Sequence, residues 1–74
     1  MRLAILEPKG EIWQGTVKEV KLPAQEGQMS VLDFHQAFVV RLQKGNIVFS
    51  NKRIAVKDGI AFMRSNILTV FAQT

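Results

Sequence analysis

The sequence predicts an all-β domain, a flattened β-sandwich or barrel of about eight to ten short strands. Turn-forming residues recur at short intervals, and the segments between them are rich in β-branched and aromatic side chains. The best helical window, residues 31–42, favours strand in its second half for the same reason. With 74 residues and no linker or internal repeat, residues 1–74 are predicted to form a single domain.

The strands follow from the turn signals between them. Asp58-Gly59 is the clearest signal, because a tight hairpin needs positive φ at its centre and Asp-Gly adopts it readily. Pro23 is expected to end a strand. We expect strands over residues 2–7, 11–22 with a break near Gly15, 28–32, 37–42, 46–49, 53–57, 60–64 and 67–72.

From residue 38 onward, apolar residues alternate with a period of two, and this alternation predicts which side chains form the core. Three large apolar residues, Val39, Ile67 and Phe71, are out of phase with that core. Either a twist or bulge buries both faces of their strands, or they form an exposed apolar patch that marks a protein interface. The predicted core positions are Phe38, Val40, Leu42, Ile54, Val56, Ile60, Phe62, Leu68, Val70 and Ala72.

Composition excludes several kinds of site. The chain has no cysteine and one histidine, so disulfides and an ordinary zinc site are not expected. Apolar runs are too short for a membrane span, and the sequence opens without a signal or transit segment. A domain of this size hides only about 60% of its unfolded surface, so we expect a partner to stabilise it.

No catalytic motif is recognised. His35 as base, Ser30 or Ser50 as nucleophile and Asp33 as orienting group form the only candidate constellation, and neither serine lies in a nucleophile elbow. The glycines are too widely separated for a phosphate-binding loop. We therefore expect no catalytic residues, no metal, no cofactor and no small-molecule substrate.

The formal charge of +4 leaves one alternative open, a free-standing basic β module that binds single-stranded nucleic acid. Such a module needs several exposed aromatic side chains beside Lys or Arg. Here the basic residues are scattered, and Phe38 and Phe62 are assigned to the core. The preferred prediction has no nucleic-acid partner.

The most distinctive stretch is LPAQEGQMSVLDFH, residues 22–35. In it a polar turn is followed by apolar residues that pack back onto the domain, as in a docking loop. Together with its surroundings it resembles the N-terminal β-sandwich domain of the epsilon subunit of F-type ATP synthases. Ser30, Gln36-Ala37 and the single Gly59 depart from the family's usual residues. The resemblance rests on residues 3–8, 15–20, Leu22-Pro23, Glu26-Gly27, Val31-Leu32, His35, Leu42, Lys44-Gly45 and 59–70, in order.

The resemblance implies a non-catalytic rotor subunit of the central stalk, which contacts the gamma subunit and the c-ring and couples ion-driven rotation to ATP synthesis. It implies a peripheral position on the cytoplasmic side of a bacterial inner membrane, with indirect membrane association; the coupling ion, proton or sodium, stays open. If the chain ends naturally at Thr74, the two C-terminal regulatory helices of many relatives are expected to be absent. By resemblance, Gln25, Glu26, Gly27, Gln28 and His35 face the c-ring or the foot of gamma, and Val39, Ile67 and Phe71 are candidates for a gamma-facing surface.

Overall fold

The structure, a computed structural model, describes residues 1–74 and contains nine β-strands and no helix. The predicted all-β class is therefore confirmed. None of its elements is a helix long and apolar enough to cross a membrane. The strands are β1 (Arg2–Glu7), β2 (Gly10–Thr16), β3 (Glu19–Ala24), β4 (Gly27–Leu32), β5 (Phe38–Leu42), β6 (Gly45–Phe49), β7 (Lys52–Val56), β8 (Asp58–Arg64) and β9 (Ile67–Gln73).

The strands form one continuous sheet that curls into two facing halves. Its order is β2-β1-β9-β8-β5-β3-β6-β7, and β4 pairs with the other edge of β3. The first half contains β2, β1, β9, β8 and β5, and the second contains β4, β3, β6 and β7. A single pair, Ala24 with Leu42, joins the halves through β3 and β5. Only the β1–β9 pairing is parallel.

The core lies between the two halves. Leu3 and Ile5 of β1, Leu22 of β3 and Ile47 of β6 are all fully buried. Full burial of such a side chain stabilises the fold by about 1.5–3 kcal/mol relative to exposure. Further fully buried side chains are Val20, Val31, Leu42, Met63, Leu68 and Val70.

Two boundaries near the first hairpins differ from prediction. The break in residues 11–22 falls at Val17-Lys18, where the Val17 N–H donates to the Met1 carbonyl over 2.9 Å. Gly15 stays inside β2, where it pairs with Leu3, and the Trp13 ring covers the position that a Cβ would occupy. Pro23 does not end β3, which continues to Ala24; the Pro23 carbonyl accepts from the Gln43 N–H over 2.8 Å.

The predicted Asp58-Gly59 hairpin is wrong. Both residues open β8, neither has positive φ, and β7 and β8 are not paired. The chain instead passes from one half to the other at Lys57, whose N–H donates to the Gln73 carbonyl over 2.7 Å. The left-handed hairpin turns are Ser50-Asn51 and Ser65-Asn66, with φ between 45° and 63°.

The predicted core is correct except on β8. Five of its positions are buried, Leu42, Val56, Leu68, Val70 and Ala72, and Phe38, Val40 and Ile54 pack half-buried against them. Ile60 and Phe62 point outward, because pairing with β9 sets the phase of β8. Ala61 lies opposite Val70 and Met63 opposite Leu68, so Ala61 and Met63 face the core.

Candidate interaction surface

The outer side of the first half carries an apolar surface. We call it the apolar face and define it by Leu6, Val39, Ile60, Phe62, Ile67 and Phe71. Val39 is 75% exposed, and Ile60, Ile67 and Phe71 are about half exposed. Of the two interpretations of Val39, Ile67 and Phe71, burial of both strand faces is wrong and an exposed apolar patch is confirmed.

Strand register makes the apolar face continuous. Ile60 of β8 lies opposite Phe71 of β9, and Phe71 lies opposite Leu6 of β1. Val39 of β5 lies opposite Phe62. The Phe62 and Phe71 rings stack with centroids 5.9 Å apart and planes inclined by 29°. The face is thus spread over four strands, and five of its six members are joined by register or stacking; the sixth, Ile67, lies between Arg2 of β1 and Arg64 of β8.

One end of the apolar face opens into a groove of about 900 Å³. Leu6, Ile60 and Phe71 form its floor, and charged side chains lie at its rim. There Arg41 Nη2 pairs with Asp58 Oδ2 at 3.2 Å. The Arg41 hydrogen bond, reinforced by the Gly59 N–H, holds the pKa of the Asp58 carboxyl below its ordinary value. A carboxylate with these two partners stays charged at neutral pH.

The Gln25–Gln28 segment lies at the same end of the sandwich. Gln25 and Glu26 form the turn between β3 and β4, and Gly27 takes a φ of 130°. The Gln25 N–H donates to the Arg41 carbonyl over 2.8 Å, which ties this turn to β5. All four residues, Gln25 to Gln28, are exposed. The segment is therefore an exposed tip held by a strand of the first half.

His35 lies at the opposite end of the hairpin. Strand β4 separates it from Gln28, and a strand of this length spans about 17 Å. The His35 ring is half-buried, packs edge-on against Phe38 at 5.3 Å, and its Nδ1 lies 2.9 Å from the Gln36 carbonyl. The structure thus places the predicted loop and His35 at two separate ends.

The candidate catalytic constellation does not assemble. Asp33 pairs with the Met1 ammonium group, and no hydrogen bond joins His35 to Asp33, Ser30 or Ser50. No group of three or more His, Cys, Asp or Glu side chains is placed to hold a metal ion.

Charge is distributed unequally between the two halves. Residues 17–32 and 43–57, which contain the second half, carry the whole formal charge of +4, and the rest of the chain is neutral. The structure's two ion pairs, Met1–Asp33 and Arg41–Asp58, leave all cations of this basic side unpaired. The basic side contains Lys18, Lys21, Lys44, Lys52, Arg53 and Lys57 against Glu19 and Glu26.

Five exposed or half-exposed apolar residues escaped the sequence analysis, among them Leu32, which is 55% exposed on β4. Ile60 and Phe62 were assigned to the core, and the correct phase of β8 would have exposed them. Leu6 is the outward residue of β1, beside buried Ile5. Phe34 is 80% exposed with a φ of 62°, and no sequence pattern signals it.

Comparison with known proteins gives a consistent result. The whole chain, residues 1–74, matches the family described as the β-sandwich domain of the ATP synthase delta/epsilon chain. The ATP synthase epsilon chain of Aliarcobacter butzleri is 38% identical over 63 residues, which cover 80% of this chain and 50% of that protein. The epsilon chain of Campylobacter jejuni subsp. doylei is 36% identical over 76 residues, covering 96% of this chain and 59% of that protein.

Solved structures share the fold at low identity. One chain of the central stalk and c-ring of the Tetrahymena thermophila mitochondrial ATP synthase has a TM-score of 0.85 at 10% identity, over 100% of this chain and 63% of that one. One from the Euglena gracilis mitochondrial ATP synthase also has a TM-score of 0.85, at 20% identity, over 97% of this chain and 49% of that one. The chain spans a little more than half the length of the curated relatives it matches. It belongs to the family of the ATP synthase delta/epsilon chain β-sandwich domain.

Proposed function

We propose that this chain is a non-catalytic central-stalk subunit of an F-type ATP synthase, in which it helps to couple ion-driven rotation of the c-ring to ATP synthesis. Family membership over all 74 residues supports this function. Among the structural observations, the apolar face supports the proposed function most strongly. An apolar surface of this extent on a small domain is typical of a protein interface.

In this proposal the apolar face, with Val39, Ile67 and Phe71, packs against the gamma subunit. The face is stiff, because its side chains project from four hydrogen-bonded strands whose other sides form the core. Contacts spread over such a face resist slippage under torque better than one polar pair. Binding to the folded state also stabilises a small domain by mass action.

The two ends of the hairpin take separate contacts. Gln25, Glu26, Gly27 and Gln28 form a polar, exposed tip suited to a polar loop of the c-ring. His35, about 17 Å away along β4, is placed for the foot of gamma beside the apolar face. The subunit then belongs peripherally to the cytoplasmic side of the membrane, through the complex and without inserting in the bilayer.

The alternative is a module that binds single-stranded nucleic acid, and the placement of aromatic and basic side chains does not favour it. Its stacking platform needs exposed aromatic side chains among cations. The exposed aromatics, Phe34 and Phe71, belong to the part of the chain whose formal charges cancel. Of the nine Lys and Arg side chains without an ion pair, six lie on the basic side, and the other three are Arg2, Lys9 and Arg64. Trp13 and Phe49, the aromatics that approach the basic side, pack against each other with ring centroids 4.6 Å apart and planes inclined by 53°, within the sandwich.

The decisive experiment mixes the full chain with purified gamma subunit from the same source and follows co-elution by size exclusion with light scattering. We expect a one-to-one complex that persists at about 0.5 M salt, because burial of apolar surface is weakly screened. A single-stranded oligonucleotide serves as the parallel ligand. Absence of the gamma complex would reject the proposal, and salt-sensitive oligonucleotide binding in its place would favour the nucleic-acid module.

A further inference from the structure

Phe34 combines a rare backbone conformation with the highest exposure of any large apolar side chain. Its φ is 62° and its side chain is 80% exposed. The other four non-glycine residues with positive φ are serines and asparagines in the two hairpin turns. A bulky side chain in the left-handed region is an outlier whose backbone conformation costs free energy. Because the Phe34 ring is exposed to water, no hydrophobic burial compensates for that cost.

The conformation of Phe34 is fixed by hydrogen bonds. Its N–H donates to the Asn66 side-chain oxygen over 2.8 Å, and the N–H of the next residue, His35, donates to the Leu32 carbonyl over 3.1 Å. Asn66 is itself held, since its carbonyl accepts from the Arg2 N–H over 3.1 Å. The strained backbone is therefore tied to two strands of the first half, and the ring is held outward.

This tether places Phe34 beside the apolar face. Asn66 immediately precedes Ile67, the member of the face at the His35 end of β9. Phe34 therefore lies beyond the end of β9, next to the Ile67 end of the apolar face, as an exposed aromatic side chain. Aromatic side chains that fill a pocket on a partner dominate the binding energy of many protein interfaces, and holding them in place before binding lowers the entropic cost.

We propose that Phe34 is an anchor residue that inserts into an apolar pocket of the protein subunit covering the apolar face; this inference rests on the proposed function. A protein fits the site better than an anionic bilayer. The net positive charge that would draw the domain to anionic lipid lies on the basic side, whereas the part of the chain that holds Phe34 is neutral.

The test replaces Phe34 with glycine, which removes the ring and also relieves the backbone strain. The change should therefore act in opposite directions on binding and on stability. We expect the Kd for the purified gamma subunit, measured by calorimetry, to rise at least about tenfold. The urea midpoint of the free chain should be unchanged or higher, because glycine adopts positive φ without steric cost.

Two further variants separate the anchor from its backbone. Asn51→Gly makes the same kind of change at an exposed left-handed residue in the β6–β7 turn, and it should leave the Kd unchanged. Asn66→Gly keeps the backbone freedom needed at residue 66 but removes the acceptor that holds Phe34. It should raise the Kd by a smaller factor than Phe34→Gly, because the ring is present but less well positioned.

The outcomes distinguish this inference from the proposed function. If the unmodified chain binds gamma and Phe34→Gly binds equally well, the anchor is rejected and the proposed function stands. If the unmodified chain does not bind gamma, both are rejected. If Phe34→Gly loses only binding to vesicles containing phosphatidylglycerol, measured by co-sedimentation, Phe34 is a lipid contact and the proposed anchor is wrong.

Discussion

Phe62 and Phe71 stack on the outside of the sandwich, with ring centroids 5.9 Å apart and the rings inclined by 29°. An aromatic pair of this geometry contributes about 0.5–1.5 kcal/mol beyond its burial. The core lies beneath it, on the opposite side of the same strands, and is formed by residues such as Met63 and Val70. Changes confined to the outer pair therefore test binding without removing the support of the fold.

Phe71→Thr is expected to weaken binding to gamma at least about tenfold, since it removes an aromatic side chain from the middle of the proposed interface. Threonine is well accepted in strands, but the change also removes the stacking on Phe62, so the free energy of unfolding should fall by about 0.5–2 kcal/mol. Titration calorimetry with gamma and urea denaturation of the free chain measure the two effects.

Val48→Thr is the control, because Val48 is half-exposed on β6, in the other half of the sandwich and away from both Phe34 and His35. It should leave the affinity for gamma unchanged. Equal losses of affinity for the two variants would show that the apolar face is not the binding surface.

The sequence predicted the fold class and most strands because its turn residues and alternation act locally. It failed on β8, where phase depends on pairing with β9: Ala61 opposite Val70 sets Ile60 and Phe62 outward. It failed at Asp58-Gly59, where a strong hairpin signal is overridden by the crossing between the two halves. The Asp58-Gly59 error concerns long-range pairing, which no local pattern contains, whereas the phase of β8 follows from the two-residue Ser65-Asn66 turn of the local β8–β9 hairpin.

The candidate interaction surface, like the fold, was predictable from the sequence only in part. Val39, Ile67 and Phe71 were identified because they break alternation, and the structure exposes all three. The separation of His35 from the Gln25–Gln28 tip follows from the course of β4, and the projection of Phe34 follows from a hydrogen bond to Asn66, 32 residues away. The roles of these residues in binding stay predictions.

The Arg41–Asp58 pair should make stability depend on pH in the acid range. Its hydrogen bonds lower the pKa of Asp58 from the ordinary value of 3.8, so the folded state favours the charged carboxylate. The resulting stabilisation is fully present above about pH 5 and is lost as pH falls through the lowered pKa. Asp58→Asn should therefore destabilise the chain at pH 7 and make little difference near pH 2.

Urea denaturation of both chains at pH 7, 4 and 2 measures this dependence. Asparagine can still accept from the Gly59 N–H, so the difference reports mainly the charge that faces Arg41. A difference between the two chains that stays constant from pH 7 to pH 2 would contradict the assignment.

Gly59→Ala tests the close approach of two strands. A Cβ at Gly59 would lie 2.6 Å from the Phe71 carbonyl oxygen and 3.3 Å from Ala72 Cα, and neither backbone atom can move without disturbing β9. We expect a loss of about 1–3 kcal/mol of unfolding free energy, the usual cost of overpacking. Thermal denaturation followed by circular dichroism measures it. Ile60→Ala, at the next and half-exposed residue, should cost less, and an equal cost would argue against crowding at Gly59.

The Trp13–Phe49 contact joins the two halves of the sandwich. Trp13 of β2 packs against Phe49 of β6 with ring centroids 4.6 Å apart and planes inclined by 53°, and its ring also covers the bare backbone of Gly15. Phe49 is 2% exposed, so Phe49→Ala should cost about 3–5 kcal/mol. For a chain of 74 residues the total stability is about 4–11 kcal/mol, so this one change removes a large share of it.

A double-mutant cycle with Trp13→Leu and Phe49→Leu isolates the contact itself, because leucine keeps most of the apolar volume. We expect a coupling of about 0.5–1.5 kcal/mol from urea denaturation of the four chains. The same cycle at Phe62 and Phe71 provides the comparison, since that pair lies within one half. The contrary result is that Phe49→Leu lowers the unfolding free energy by the same amount with Trp13 and with leucine at that position. In that case the β3–β5 pairing and general burial hold the two halves together, and the aromatic contact contributes no coupling energy of its own.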